Sequence, residues 1–215
     1  MHVLSQEEFE RDAQSLIHQI FVGNNHTEPF KFEVEERLLL YFPCGGNLKR
    51  NVYWERQLFE AIAQAAYKIG DTGCYLASAW EGNLTTVGGP QKNRFAYIAQ
   101  SELVEAIAAP YGNPRVWSKL YMSSIDFCLC SENGNWGLLT TIDDHAFLGG
   151  SSEFMQAVKS YFPQIEQEVY EYLNDLKLEK MDGEKIDIKW LKKVLSHVYG
   201  AELAKQMIID SELLT

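Results

Sequence analysis

Two loops in the middle of the chain combine paired glycines with basic side chains, and both read Gly-Gly-x-x-Lys. Paired glycines let backbone N–H groups approach a ligand closely, and a neighbouring Lys or Arg adds positive charge. The pattern therefore predicts a site for a small anionic ligand, although turns with solvated basic residues are the alternative interpretation. Neither loop has the spacing of a nucleotide-binding P-loop. The predicted ligand-binding residues are Gly45, Gly46, Lys49 and Arg50 in one loop and Gly88, Gly89, Lys92 and Arg94 in the other.

The densest cluster of titratable residues is Asp143-Asp144-His145, which follows a predicted strand. Carboxylates beside an imidazole can perform acid–base catalysis, so Asp143, Asp144 and His145 are the candidate catalytic residues. Adjacent residues of a strand point to opposite faces, however, and three in a row rarely converge on one ion. We therefore expect no metal site here, and a polar turn is the alternative interpretation. No motif indicates a cofactor, so none is expected.

The four cysteines show neither paired C-x-x-C spacing nor the density of a disulfide scaffold. Cys128 and Cys130 are separated by one residue of a predicted strand, so both should point to the same face. Buried free thiols are the expected state. Cys44 lies near Lys49 and Arg50, and such neighbours could lower the pKa of its thiol, which makes it an alternative candidate nucleophile.

The chain is acidic, with a formal net charge of −11 at pH 7. Phosphate binding needs a concentrated basic field, so the composition disfavours a nucleic-acid-binding protein. Basic residues outnumber acidic ones only in residues 41–99, by six to four. A helix-turn-helix in residues 182–215 is disfavoured for the same reason, because six acidic residues there oppose five basic ones. Acidic surfaces suit a basic protein partner, and a homo-oligomer is the alternative.

The hydropathy pattern predicts no association with membranes. No segment approaches the roughly 18 consecutive apolar residues of a spanning helix. The N-terminal residues lack the basic flank and apolar run of a signal peptide. Together with the cysteine pattern, these observations predict a soluble protein of the cytoplasm.

The clearest structural unit covers residues 125–162 and reads as strand, turn, strand, Gly-Gly and helix. Its turn contains Asn133-Gly134, the strongest short hairpin signal, because both central residues of such a turn need positive φ. Gly149 and Gly150 are expected to form the exit from the second strand. Apolar residues at i, i+3, i+4 and i+7 then predict a helix, and they are Phe154, Ala157, Val158 and Tyr161.

Other segments carry local signals for helices and strands. Ser5 and Glu8 have the form of a capping box and predict one helix that reaches Phe21. Residues 30–42 predict one strand or two. The remaining predicted elements are a helix at 53–69, strands at 74–80 and 94–98, a short helix after Ser101, and helices that begin near Pro163, Asp187 and Gly200.

Helices flank runs of strands without regular β-α-β alternation, which predicts an α+β fold with a mixed or mainly antiparallel sheet and helices packed against it. Residues 1–181 are expected to form a single α+β domain. Residues 182–215 are expected to form a helical C-terminal tail, an appendage packed on that domain. At 46% apolar residues, the composition is ordinary for a folded protein.

Three functional hypotheses of different classes are compatible with the sequence. The first is a non-catalytic binding or regulatory protein, for example an immunity-type inhibitor that neutralises a basic partner. The alternative is a small enzyme acting on an anionic substrate held by the two Gly-Gly-x-x-Lys loops, with Asp143, Asp144 or His145 as the acid–base group. The enzyme hypothesis requires both loops to line one pocket close to His145. A homo-oligomeric scaffold is a third hypothesis.

Overall fold

A computed structural model of the chain describes residues 1–22, 27–31, 33–43, 52–78, 95–107, 127–141 and 143–213. Within these residues, seven strands form one sheet with antiparallel neighbours throughout, and eight α-helices pack against it, which confirms the predicted α+β class. The strands are β1 (His2–Leu4), β2 (Glu36–Tyr41), β3 (Gly73–Ser78), β4 (Phe95–Ala99), β5 (Phe127–Ser131), β6 (Trp136–Thr140) and β7 (His145–Gly150). The helices are α1 (Gln6–Asp12), α2 (Gln14–Ile20), α3 (Val52–Lys68), α4 (Leu103–Ile107), α5 (Ser152–Tyr161), α6 (Glu168–Met181), α7 (Ile188–Tyr199) and α8 (Ala201–Asp210).

The strand order across the sheet is β1-β4-β3-β5-β6-β7-β2, so β2 forms one edge. Helices cover both faces of the sheet, because successive strand residues point to opposite faces and are apolar on both. Along β2, for example, Leu38 and Leu40 belong to one hydrophobic cluster and Leu39 to the other. The first cluster contains buried residues of α3, α4 and α5, and the second contains those of α1, α2, α6, α7 and α8.

The predicted hairpin between β5 and β6 is confirmed, but of the two turn residues expected at positive φ only Gly134 has it, at +70°. The Gly134 N–H donates to the Ser131 backbone oxygen at 3.1 Å, so Asn133 and Gly134 are not the two central residues of the turn. A buried carboxylate fixes its position. Asp71, which is 1% exposed, accepts hydrogen bonds from Ser131 Oγ at 2.8 Å, Asn133 Nδ2 at 2.7 Å and Trp136 Nε1 at 2.7 Å. These three donors lie before, within and after the hairpin turn. The Asp71 side chain therefore connects the turn to the segment between the end of α3 and the start of β3.

The predicted exit loop at Gly149 and Gly150 is wrong, because both residues belong to the additional strand β7. At these two positions neighbouring atoms pack closely against the strand backbone, and the chain does not turn. A Cβ atom on Gly149 would lie 2.8 Å from Cζ of Phe30, and one on Gly150 would lie 2.7 Å from the backbone oxygen of Asn135. Only glycine leaves room for such approaches inside a sheet, which is a recognised use of glycine in strands.

Some of the predicted helix boundaries are confirmed and others are shifted or interrupted in the structure. The capping box at Ser5 and Glu8 is confirmed, but the single helix that it was expected to begin is interrupted at Ala13 and becomes α1 and α2. Asp187 caps α7 as predicted, since its Oδ1 accepts the backbone N–H groups of Lys189 and Trp190 at 2.9 and 3.1 Å. The helix predicted near Pro163 begins later, at Glu168, after a short 3₁₀ turn.

The C-terminal helices α7 and α8 bury apolar side chains in the second cluster, together with residues of α1 and the sheet. Leu191 and Leu195 of α7 and Met207 of α8 lie in the same cluster as Phe9 and Phe147. The division into a domain of residues 1–181 and an appendage of residues 182–215 stays a prediction. In the part of the chain that the structure describes, no helix is long and apolar enough to span a membrane.

Candidate functional site

A cavity of about 510 Å³ opens where the turn between β6 and β7 meets α6 and the start of α7. Three parts of the chain form its walls: the turn itself, one face of α6, and the segment that joins α6 to α7. The lining residues are Asp143, Asp144, Tyr172, Asp175, Leu176, Glu179, Lys185, Ile186, Asp187 and Trp190. We call this feature the acidic cavity.

The turn between β6 and β7 is held in place by its own hydrogen bonds. Thr141 Oγ1 donates to the backbone oxygen of His145 at 3.0 Å. The backbone N–H of Phe42, just after β2, donates to the backbone oxygen of Asp144 at 2.8 Å. Asp144 has a φ of +56°, in the left-handed region that aspartate tolerates better than most residues. The turn therefore presents the Asp143 and Asp144 carboxylates from a fixed backbone at the rim of the sheet.

Helix α6 contributes the second wall through four side chains at helical spacing. Tyr172, Asp175, Leu176 and Glu179 stand at i, i+3, i+4 and i+7, so they share one face. The lysines of the same helix pair elsewhere: Lys177 Nζ lies 3.0 Å from a Glu212 carboxylate oxygen, and Lys180 Nζ donates to the Leu213 backbone oxygen at 2.9 Å, both beyond the end of α8.

Among the described lining residues, five carboxylates stand against one lysine, Lys185. The carboxylate oxygens of Asp144, Asp175 and Glu179 lie within 4.8 Å of one another. Their negative charge acts on Tyr172, which lies at the bottom of the cavity. Burial raises the pKa of Tyr172 above its usual range, and the nearby carboxylates, led by that of Asp143, raise it further.

His145 lies beneath the floor and not in the cavity. Its side chain is completely buried, with ring centroids 5.0 Å from Phe147, 5.4 Å from Tyr172 and 5.3 Å from Trp190. Its Nδ1 lies 3.0 Å from the backbone oxygen of Asp143, which can only accept, so the ring donates that proton. His145 thus supports the turn that carries the two aspartates.

The structure brings some of the sequence-predicted residues together and leaves others undescribed. Asp143 and Asp144 reach the acidic cavity, whereas His145 lies behind it. All eight predicted ligand-binding residues of the Gly-Gly-x-x-Lys loops lie outside the described residues, and so does Cys44. Sequence reasoning missed Asp175 and Glu179, although their spacing with Tyr172 and Leu176 on one helical face was a readable signal.

Three cysteines are described, and they are buried and free, as expected. Cys128 and Cys130 lie in the same cluster, which confirms that they share a face, while Cys74 lies in the other. Burial raises the pKa of Cys128 to about 12 and raises those of Cys74 and Cys130 well above the usual range. A thiol must ionise to act as a nucleophile, so these three are structural.

Within the described parts of the chain, Asp144, Asp175 and Glu179 are the residues best placed to hold a metal ion. Each offers one carboxylate oxygen, the kind of ligand that Mg²⁺ and Ca²⁺ prefer, and water would have to complete the six or more positions that these ions need. Carboxylates of this exposure also gather in proteins without an ion. We therefore assign no metal to the cluster.

No protein-family model matches the chain, and neither a curated protein nor a solved structure matches it significantly.

Proposed function

We propose that this chain is a non-catalytic binding protein that receives a cationic side chain of a basic partner protein in the acidic cavity. One observation carries the proposal: among the residues that the structure describes, five carboxylates from three parts of the chain line one cavity together with a single lysine. Carboxylates held together on partly enclosed walls attract a cation more strongly than the same groups spread over an open surface.

The aromatic lining favours arginine over lysine. Trp190, which is partly exposed, contributes to the walls beside the carboxylates. The faces of aromatic rings attract cations, and a guanidinium group stacks on them through its planar, weakly hydrated surface. Its forked donors can also serve two carboxylates at once, which suits oxygens that lie within 4.8 Å of one another.

The arrangement of like charges supports a binding role because it works against stability. Asp175 and Glu179 stand four residues apart on α6, and a like-charge pair at that spacing destabilises a helix by roughly 0.2–0.5 kcal/mol. Asp144 adds a third negative charge from the turn. A positively charged side chain from a partner would be attracted by all three carboxylates, so binding would stabilise the protein.

The overall charge of −11 suits an inhibitor of the immunity type, which must capture a basic partner quickly. Complementary charge accelerates encounter and rejects partners of the wrong sign. We further infer a cytoplasmic location, supported by three buried thiols that stay free in a reducing compartment.

The enzyme hypothesis remains an alternative. It needs the two Gly-Gly-x-x-Lys loops at one pocket close to His145, and all eight of the loop residues lie outside the described residues. The burial of His145 favours the binding function, because a general base must reach the proton that it abstracts.

A titration with a short peptide tests the proposed function. The probe is an acetylated and amidated peptide with two arginines, added to ¹⁵N-labelled protein while the indole N–H signals are followed by NMR. We expect the signal of Trp190 to shift and that of the buried Trp136 to stay unchanged, with a dissociation constant of about 1 mM, because a short charged peptide makes few contacts.

The control peptide carries citrulline in place of arginine, which keeps the shape and removes the charge, and it should leave the Trp190 signal in place. Equal shifts with both peptides would show that charge is not recognised. If Ca²⁺ or Mg²⁺ alone shifted the Trp190 signal at micromolar concentration while the arginine peptide did not, the cavity would be a cation site and the proposal would be wrong.

A further inference from the structure

The last turn of α7 is fastened to the edge strand β2 and to the segment before it by three hydrogen bonds. His197 Nε2 accepts the backbone N–H of Phe30 at 3.1 Å, and the backbone oxygen of His197 accepts Arg37 Nη1 at 2.9 Å. Tyr199 Oη accepts the backbone N–H of Leu39 at 3.1 Å. We call these three bonds the α7 clasp.

The bond from Phe30 defines the state of the His197 ring. A backbone N–H can only donate, so Nε2 must carry a free lone pair and the imidazole must be neutral. The ring also stacks on that of Phe30, with centroids 6.2 Å apart and planes inclined by 14°. Phe30 in turn packs over Gly149 of β7, so the clasp joins α7 to the middle of the second cluster.

Two charged groups act on His197 from the elements packed against it. The Arg37 guanidinium on β2 opposes a second positive charge, and its Nη2 is held by the backbone oxygen of Lys31 at 2.8 Å. Glu28, on the segment before β2, acts in the opposite direction and favours a charged ring. Tyr199, whose pKa burial raises, remains protonated and does not titrate in acid.

We propose that His197 is a pH-sensitive release for α7: protonation of its ring at mildly acidic pH turns the acceptor of the Phe30 N–H into a donor, places positive charge beside Arg37 and opens the α7 clasp. Two N–H groups that face each other cannot share a hydrogen bond, and both cations would then lie on the same edge of the sheet. The Phe30 bond of the clasp therefore forms only while His197 is neutral.

The pH range of the release follows from the environment of the ring. Burial, and then Arg37, lowers the pKa of His197 to about 4, while Glu28 partly offsets them. In an opened or unfolded state the ring would regain an ordinary pKa near 6.5. The open state then binds the proton more strongly, so the stabilisation is complete above about pH 6.5 and is lost progressively as the pH falls toward about 4.

The release has a consequence for the acidic cavity, and this consequence rests on the proposed function. Trp190 lies on the same helix as His197, two turns nearer its N-terminus, and forms part of the cavity wall. Loosening α7 would move that wall, so a bound partner would dissociate in acid. The clasp itself is tested without any partner, and the two ideas therefore fail independently.

Amide hydrogen exchange measures the clasp directly. Protection factors of the Phe30 and Leu39 amides are compared at pH 7.5 and pH 5 after correction for the intrinsic exchange rate. We expect the protection factors to fall by about tenfold between pH 7.5 and pH 5. The full difference in the pKa of His197 between the closed and the open state would allow a larger fall, but the side chain is only half-buried. In His197→Gln, whose side-chain oxygen can accept the same bond without titrating, protection should be independent of pH.

Two results would overturn the proposal. One is the same fall in wild type and in His197→Gln, which would assign the effect to other titrating groups. The other result would come from an NMR titration of the His197 ring in the wild-type protein. If the ring titrated with an unshifted pKa near 6.5 and the Phe30 hydrogen bond persisted, protonation would not oppose the clasp. This second measurement needs no variant and remains decisive if His197→Gln does not fold.

Discussion

The substitution Asp71→Ala is expected to lower the free energy of unfolding by about 3–5 kcal/mol, because it leaves several buried donors without their acceptor. Asp71 is 1% exposed and accepts hydrogen bonds from Ser131, Asn133 and Trp136, the last through an indole that is itself completely buried. Thermal unfolding should show the loss as a fall of about 10 °C in the midpoint, given the usual scaling for a chain of this size.

Two further variants show whether the Asp71 network is the cause. Asp71→Asn keeps the volume but replaces one acceptor oxygen with a donor, so we expect a smaller loss of stability than in Asp71→Ala. Asp12→Asn, whose carboxylate contacts the exposed Arg11 at the surface, should leave the midpoint nearly unchanged. A loss below about 1 kcal/mol in Asp71→Ala would mean that water replaces the carboxylate and that the hairpin does not depend on it.

The substitution His145→Ala is the second large effect, and we expect it to cost about 2–4 kcal/mol through the cavity that it creates and the hydrogen bond that it removes. The ring is enclosed by Phe147, Tyr172 and Trp190, and its Nδ1 supports the backbone of Asp143. Chemical denaturation measures the change in stability. The turn that presents Asp143 and Asp144 should also lose its fixed geometry.

His145→Asn separates support of the turn from a direct role of His145 in binding at the acidic cavity. An asparagine amide can occupy the position of Nδ1 and donate to the Asp143 backbone oxygen, so it should restore part of the stability lost in His145→Ala. It should also keep arginine-peptide binding, because His145 does not line the cavity. If His145→Asn were as stable as wild type but no longer bound the peptide, His145 would have a direct role at the site.

Local sequence signals predicted the parts of this fold that local chemistry determines. The Ser5 capping box, the Asp187 cap and the hairpin around Asn133-Gly134 are each set by a few adjacent residues. All three are confirmed, although only Gly134 has the positive φ expected of both turn residues. The shared face of Cys128 and Cys130 follows from the alternation of side chains along one strand, and it is confirmed as well.

Features that depend on tertiary contact were not predictable in the same way. Gly149 reads as a turn in isolation, and only the Phe30 ring above it, more than a hundred residues earlier in the chain, explains a glycine within β7. The pairing of β2 with β7 is equally non-local. The acidic cavity assembles Asp144 with Asp175 and Glu179 from separate elements. The helical spacing of Asp175 and Glu179 indicates that they share one face of α6, but not that this face meets Asp144.

In the proposed function, the carboxylates of the acidic cavity, and not the overall negative charge, recognise a basic partner. The most direct measurement compares two double variants that remove the same charge from different places. Asp175→Asn/Glu179→Gln neutralises the cavity wall, whereas Glu7→Gln/Glu10→Gln neutralises two exposed residues of α1 that lie outside the cavity. Binding of the two-arginine peptide is measured for both by NMR titration at low and at moderate salt.

We expect the cavity variant to bind the peptide at least about tenfold more weakly than wild type, to lose most of its salt dependence, and to be as stable as wild type or slightly more stable. The α1 variant should bind as wild type does. Equal weakening in both variants would show that only the net charge matters, and unchanged binding in the cavity variant would show that the peptide binds elsewhere; either result would contradict the proposed site.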